Sequence, residues 1–181
     1  MAKRKKKANR ALNRMLHLGI YILIVLLTAY VFVTYIGQRV VVHSVSMQPT
    51  FAEGEVLFVD KLTCRFIDPK RFSVLCFHSD SEQEDLIKRV IGLPNETVRI
   101  KDGVIYINGG ELKDYKGLEA PEFAGTAEDE IVLGDDEYFV LGDNRKESID
   151  SRYHQIGTVS RADIIGIARV RMKPVSKFQF L

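Results

Sequence analysis

The sequence predicts a mainly β protein: a single N-terminal transmembrane helix followed by an antiparallel β-sheet domain. Three observations carry that expectation. An uncharged run extends from Met15 to Gln38, behind a flank that holds seven cationic residues and no acid. Beyond it, short apolar or alternating runs recur between turn formers, the pattern of half-buried strands. No later stretch keeps a 3.6-residue apolar period, so nothing after the run reads as an amphipathic helix.

The run comes first. About 20 apolar residues at roughly 1.5 Å rise cover a hydrocarbon core of about 30 Å, so residues 15–36 suffice for one crossing. A cleavable secretory signal has an apolar core of about 7–15 residues that ends in small residues. Here the run continues through Tyr30, Phe32 and Tyr35, and Gly37-Gln38-Arg39-Val40 offers no small-x-small site. An uncleaved anchor fits better than a signal, and its length and basic flank argue against a buried core helix. Lys3, Arg4, Lys5, Lys6, Lys7, Arg10 and Arg14 mark residues 1–14 as a basic tail, which the positive-inside bias keeps cytoplasmic. Residues 37–181 are then an extracytoplasmic β-rich domain. The whole is a single-pass protein of the cytoplasmic membrane. His17 falls near the cytoplasmic interface, where a polar tip is tolerated.

Charge narrows the partners. The net charge of +2 hides an asymmetry: residues 15–181 hold 19 basic against 24 acidic residues. That excludes a nucleic-acid-binding ectodomain and suits a tail resting on anionic membrane lipids. A solvated tail is compatible with the same run. About 140 residues remain after tail and anchor, enough for one core and a small subdomain. Cys64 and Cys76 are the only cysteines, and neither lies in a CxxC pair. A bridge between them stays open. The four histidines show no paired spacing, so no metal site is legible and no cofactor is called for.

The strands follow in order. Val40-Val41-Val42, Glu55 to Asp60, Ser73 to Phe77 and Leu86 to Leu93 are the first four runs. Thr97 to Lys101 and Val104 to Ile107 flank Asp102-Gly103, a pair that accepts the positive φ of a type I′ hairpin turn. Asn108-Gly109-Gly110 marks the next reversal. Residues 114–136 are acidic and aperiodic, an expected surface loop or small excursion. Tyr138 to Leu141 and Ile164 to Met172 resume the strand pattern.

Three segments carry candidate chemistry. In Ser44-Val45-Ser46-Met47-Gln48-Pro49-Thr50, an extended chain would put Ser44 and Ser46 on one face and His43 on the other. Pro49-Thr50 can end the strand and leave Ser46 at an exposed end. An activated serine needs a base, and a lysine qualifies only when desolvation lowers its pKa. Lys88 sits among Leu86, Ile87, Val90 and Ile91. Such a lysine is equally what an edge strand with a solvent-facing side chain looks like. Gly142-Asp143-Asn144-Arg145 through Ser148, Asp150, Ser151 and Arg152 is polar behind an apolar strand. It reads as a turn-rich loop, or as groups that orient an amine and brace an arginine.

Together the three segments resemble the type I signal peptidase family, membrane-anchored Ser-Lys proteases that remove signal peptides from exported preproteins. The serine segment resembles the family's Ser-Met-x-Pro-Thr box, and Lys88-Arg89-Val90-Ile91-Gly92-Leu93-Pro94-Asn95-Glu96 resembles its lysine box. Gly142 to Arg152 is similar to the C-terminal box. The resemblance implies a serine endopeptidase with Ser46 as nucleophile and Lys88 as base, and an oxyanion hole from Ser44 and the Ser46 amide. It implies that Ser148 bonds the lysine and that Asp150 pairs with Arg152 or Arg145. It aligns Val42, Met47, Phe51, Leu86 and Ile87 with the walls of small apolar substrate pockets, and implies cleavage after Ala-x-Ala-like sites at the outer membrane face. Two departures stand out. Asn95 replaces a frequent Gly before Glu, and Lys70-Arg71-Phe72-Ser73 lacks the usual Arg-Gly-Asp, which puts the local loop geometry there in question.

Two other readings compete. A self-cleaving Ser-Lys repressor relative would carry a DNA-binding helical domain in place of the anchor. A silent membrane-tethered β module would have no use for Ser46, Lys88 and Ser148 together.

Overall fold

The computed structural model describes residues 2–113 and 118–181, with side chains from Asn13 onward. Helix α1 runs from Ala2 to Val31 and continues as a π-helical turn over Phe32–Ile36. It takes in the basic tail as well as the apolar run, as a segment rich in Ala, Lys, Arg and Leu favours. Its part from Asn13 to Ile36 is long and apolar enough to cross a membrane, and none of it is buried against the protein. The helix gives way directly to strand β1, Gly37–Val41.

The remaining strands are β2 (Val56–Asp60), β3 (Val74–Ser79), β4 (Glu84–Gly92), β5 (Thr97–Lys101), β6 (Val104–Ile107) and β7 (Gly110–Glu111). After them come β8 (Ile131–Val132), β9 (Glu137–Leu141), β10 (Val159–Ser160), β11 (Ile164–Lys173) and β12 (Gln179–Phe180). One sheet has the order β1-β2-β11-β3-β4-β9-β10, with β12 beside β11, and a second has the order β7-β6-β5-β8. Every pairing is antiparallel. The expected mainly antiparallel β architecture behind one apolar helix is what the chain adopts.

The expected hairpin is present. Asp102 and Gly103 take φ of 51° and 78° between β5 and β6, the backbone that the type I′ turn demands. One element was not expected, and two open points take definite form. A six-residue helix, α2 (Lys61–Phe66), follows β2, its first turn capped by Asp60 Oδ1 accepting from Thr63 N at 2.9 Å. The acidic segment is more than a loop: Ile131 and Val132 pair with β5, and Ala127 and Leu133 are buried in the smaller sheet's core. Residues 114–117 of that segment lie outside the described residues. Cys64 and Cys76 are both free and buried, so no bridge joins them.

What positions the site is β4. It lies between β3 and β9, with Lys88 opposite Leu75 and Arg89 opposite Val74 on one side and Leu141 on the other. Apolar clusters cover it: Leu75, Phe77, Val90, Tyr138 and Val140 form one, and Val42, Met47, Phe51, Leu57, Val74 and Ile87 another. An interior strand with clusters around it has no solvent-facing lysine to offer. The edge-strand reading of Lys88 is excluded.

Candidate active site

The chain leaves β1 at Val41 and Val42 and meets Ser44, which is extended, with φ −131° and ψ 162°. It then tightens into a 3₁₀ turn over Val45–Met47. The extended chain therefore stops at Ser44 and does not continue to Ser46. Gln48 N donates to Val45 O at 3.0 Å and Phe51 N to Met47 O at 2.8 Å, so the backbone satisfies itself locally instead of through the sheet. The two hydroxyls still meet: Ser44 Oγ lies 2.9 Å from Ser46 Oγ. Ser46 is buried and His43 exposed.

Lys88 reaches the same point from β4. Its Nζ lies 2.8 Å from Ser46 Oγ, and the residue is only 3% exposed. Among the described residues no carboxylate comes within ion-pair distance of that amine. Burial among apolar neighbours lowers its pKa from 10.5 to about 8, with the charge of Asp150 opposing the shift. Removal from water penalises the ammonium form more than a distant carboxylate restores it.

The polar segment after β9 closes over the serine turn. Asn144 N donates to Ser46 O at 3.0 Å, and Asn144 Nδ2 donates to Val45 O at 3.2 Å. Gly142 is required by close approach: a Cβ there would fall against the Ser148 side chain and within 2.6 Å of Ser46 O. Asp150 resolves its open choice of partner in favour of Arg152, which donates Nε to Oδ1 at 2.8 Å and Nη2 to Oδ2 at 2.9 Å. Gly142 N also donates to Asp150 Oδ2 at 2.9 Å. Arg145 is not that partner; its guanidinium is buried without a hydrogen bond among the described residues, and burial lowers its pKa.

One expectation is corrected here. The bond expected between Ser148 and Lys88 is not made: Ser148 Oγ is buried with no hydrogen-bond partner among the described residues. The residues that the resemblance aligns with pocket walls fall in two apolar clusters. Val42, Met47, Phe51 and Ile87 pack together beneath the serine turn, and Phe51 has no exposed surface. Leu86 packs against the other cluster.

Three contributors were not singled out from sequence as site residues. Arg89 forks onto Asp143, donating Nε to Oδ1 at 2.7 Å and Nη2 to Oδ2 at 2.6 Å. Thr50 Oγ1 donates to Asp143 Oδ2 at 2.5 Å. A charged residue adjoining the lysine and an acid beside Gly142 were the available signal; the 54 positions between them concealed the pair. The two departures from the resembled pattern keep their turns, with φ of 63° at Asn95 and 68° at Phe72. Asn tolerates this region readily, whereas a bulky Phe there is strained.

A family model described as signal peptidase, peptidase S26, matches residues 15–173. The chain is 33% identical to the probable signal peptidase I-2 of Synechocystis sp., over 98% of this chain and 82% of that protein. It is 37% identical to the signal peptidase I of Leptolyngbya laminosa, over 80% of this chain and 72% of that one. With the signal peptidase I V of Bacillus subtilis it shares 39% identity, over 70% and 80% of the two chains.

Proposed function

The chain belongs to the signal peptidase family, peptidase S26, a membrane-anchored serine protease by that membership, and we propose that it works through a Ser46–Lys88 dyad. One observation carries the proposal: a buried amine, with its pKa lowered to about 8, stands 2.8 Å from the Ser46 hydroxyl. When Lys88 is neutral, the contact reverses its sense and the Ser46 hydroxyl donates to Nζ. Ser46 Oγ then attacks the scissile carbonyl carbon as its proton passes to Nζ. The new O⁻ is met by the Ser46 N–H, one of the early amides that a helical turn leaves free, and by the Ser44 hydroxyl rotated away from Ser46. The ammonium returns its proton to the departing amine, leaving an acyl-serine on the signal peptide. Water, deprotonated by the same lysine, releases the acid and restores both groups.

Asp150, Arg152, Asp143 and Arg89 act by position. They hold the polar segment and β4 so that the serine turn and Lys88 keep their distance. Substrates are signal peptides of exported preproteins, cut after small residues, with the apolar floor under Ser46 favouring Ala at the cleavage site. The basic tail stays cytoplasmic on anionic lipid headgroups, and the site works at the outer membrane face.

Purified full-length protein should convert a preprotein to its mature form, and Ser46→Ala should yield none. Mature product at the wild-type rate from Ser46→Ala would remove Ser46 from the mechanism.

A further inference from the structure

Where the anchor meets the sheet, α2 lies against the π-helical turn. Lys61 Nζ donates to Val33 O at 3.3 Å, and the Arg65 guanidinium stands 5.0 Å above the Tyr35 ring. Beside this junction opens a cavity of about 710 Å³ whose lining includes Thr34, Lys61, Arg65 and Arg161. Asp68 and Asp163 also line it, and Asp68 is paired with Arg161 at 3.5 Å. Three cations against two acids leave the lining net positive. Next to it α2 exposes an apolar edge: Leu62 is 41%, Phe66 81% and Ile67 52% exposed.

Height decides what such a cavity meets. The 24-residue span from Asn13 to Ile36 covers about 36 Å, more than the roughly 30 Å of hydrocarbon. Its last turn, with Val33 and Thr34, therefore emerges among headgroups. A short helix with exposed Leu and Phe flanked by Lys and Arg suits that layer, apolar side chains down and cations at phosphate level. We propose that this cavity between anchor and α2 binds the phosphate of an anionic phospholipid in the leaflet that faces the β domain, with Leu62, Phe66 and Ile67 against its acyl region. The proposal rests on the membrane anchor and not on the dyad. Its consequence is a catalytic domain tied to the surface at a second point besides α1.

The sequence contains no tryptophan, so Phe66→Trp provides a single indole at the edge of the cavity. The full-length F66W protein is reconstituted in vesicles of phosphatidylcholine and phosphatidylglycerol, with one or the other brominated to quench the indole. Brominated phosphatidylglycerol should quench as if enriched about fivefold beside the indole. Adding Lys61→Glu with Arg65→Glu, or the milder Lys61→Gln with Arg65→Gln, should remove the enrichment while peptide turnover reports that the fold persists. Equal quenching by the two lipids in F66W, or enrichment that survives both double substitutions, would overturn the site. Displacement of the lipid by inorganic phosphate, but not by chloride of equal ionic strength, would reassign the cavity to a free anion and also overturn it.

Discussion

Lys88 and Arg89 are consecutive on one buried strand, yet among the described residues only Arg89 has a counter-charge. Arg89 is held at both ends of its fork by Asp143, whose carboxylate is fully buried. Lys88 faces the Ser46 hydroxyl and no close acid. A buried cation with a partner stays charged and structural, whereas one without is pushed toward neutrality. At adjacent positions the strand thus carries one cation with a counter-charge and one whose pKa burial lowers.

Activity should rise with pH through about 8, the value to which burial lowers Lys88. Only the neutral amine accepts the serine proton. Below that pKa its fraction falls about tenfold per unit, and above it the rate should level off. The check is kcat/KM for a signal-peptide substrate from pH 6 to 10; a profile already flat at pH 6 would contradict it.

Gly142→Ala should disable the site at a distance from the chemistry. The new methyl falls on the Ser148 side chain and close to Ser46 O, and a backbone oxygen cannot rotate aside. Displacing the serine turn by about 1 Å should cost about a hundredfold in turnover, with a stability loss of about 1–3 kcal/mol. Turnover and denaturant unfolding in detergent check this together, and wild-type turnover would show that the turn can yield.

The two Arg–carboxylate pairs beside β4 should differ in worth. Asp143→Ala leaves Arg89 buried and unpaired, at about 3–5 kcal/mol. Glu96→Ala breaks a partly exposed pair, since the side chains of Arg71 and Glu96 are 22% and 16% exposed, and should cost less, about 1–2 kcal/mol. Equilibrium unfolding of the two variants ranks them; the reverse order would contradict the burial argument.

The elements legible in the sequence were those with local causes. The anchor is a matter of length and charge, and the β5–β6 hairpin follows from Asp102-Gly103. β7, β8 and β10 are two residues each, too short for alternation to register. Helix α2 spans six residues and is set by its Asp60 cap and its packing against the anchor's end, without an amphipathic period of its own. Ser46 and Lys88, which the fold brings to 2.8 Å, were singled out because the resemblance rests on a serine box and a lysine box, each a local pattern. The Arg89–Asp143 pair and the grip of Asn144 on the serine turn depend on β9 lying beside β4, and the burial of Phe51 on β2, β3 and β4 sharing one sheet, long-range facts that no window contains. The resemblance suggested the Ser148–Lys88 bond, which local burial replaces with an unpartnered hydroxyl.

Topology gives a further expectation. With seven cations before the anchor, protease added outside intact cells should cut within residues 114–136 and leave an epitope fused to the N-terminal tail intact. Protection of the acidic segment with loss of the epitope would invert the orientation.

The central claim is that Lys88, not a histidine, takes the Ser46 proton. It is tested most directly by turnover of a signal-peptide substrate by two folded variants, Lys88→Arg and His43→Ala. Guanidinium stays protonated at any working pH, so Lys88→Arg should lose at least about a thousandfold in kcat, as removal of a general base requires. His43 is exposed and takes no part in the dyad, so His43→Ala should keep turnover within about twofold. An active Lys88→Arg protein beside an inactive His43→Ala protein would contradict the account and require a Ser–His mechanism in its place.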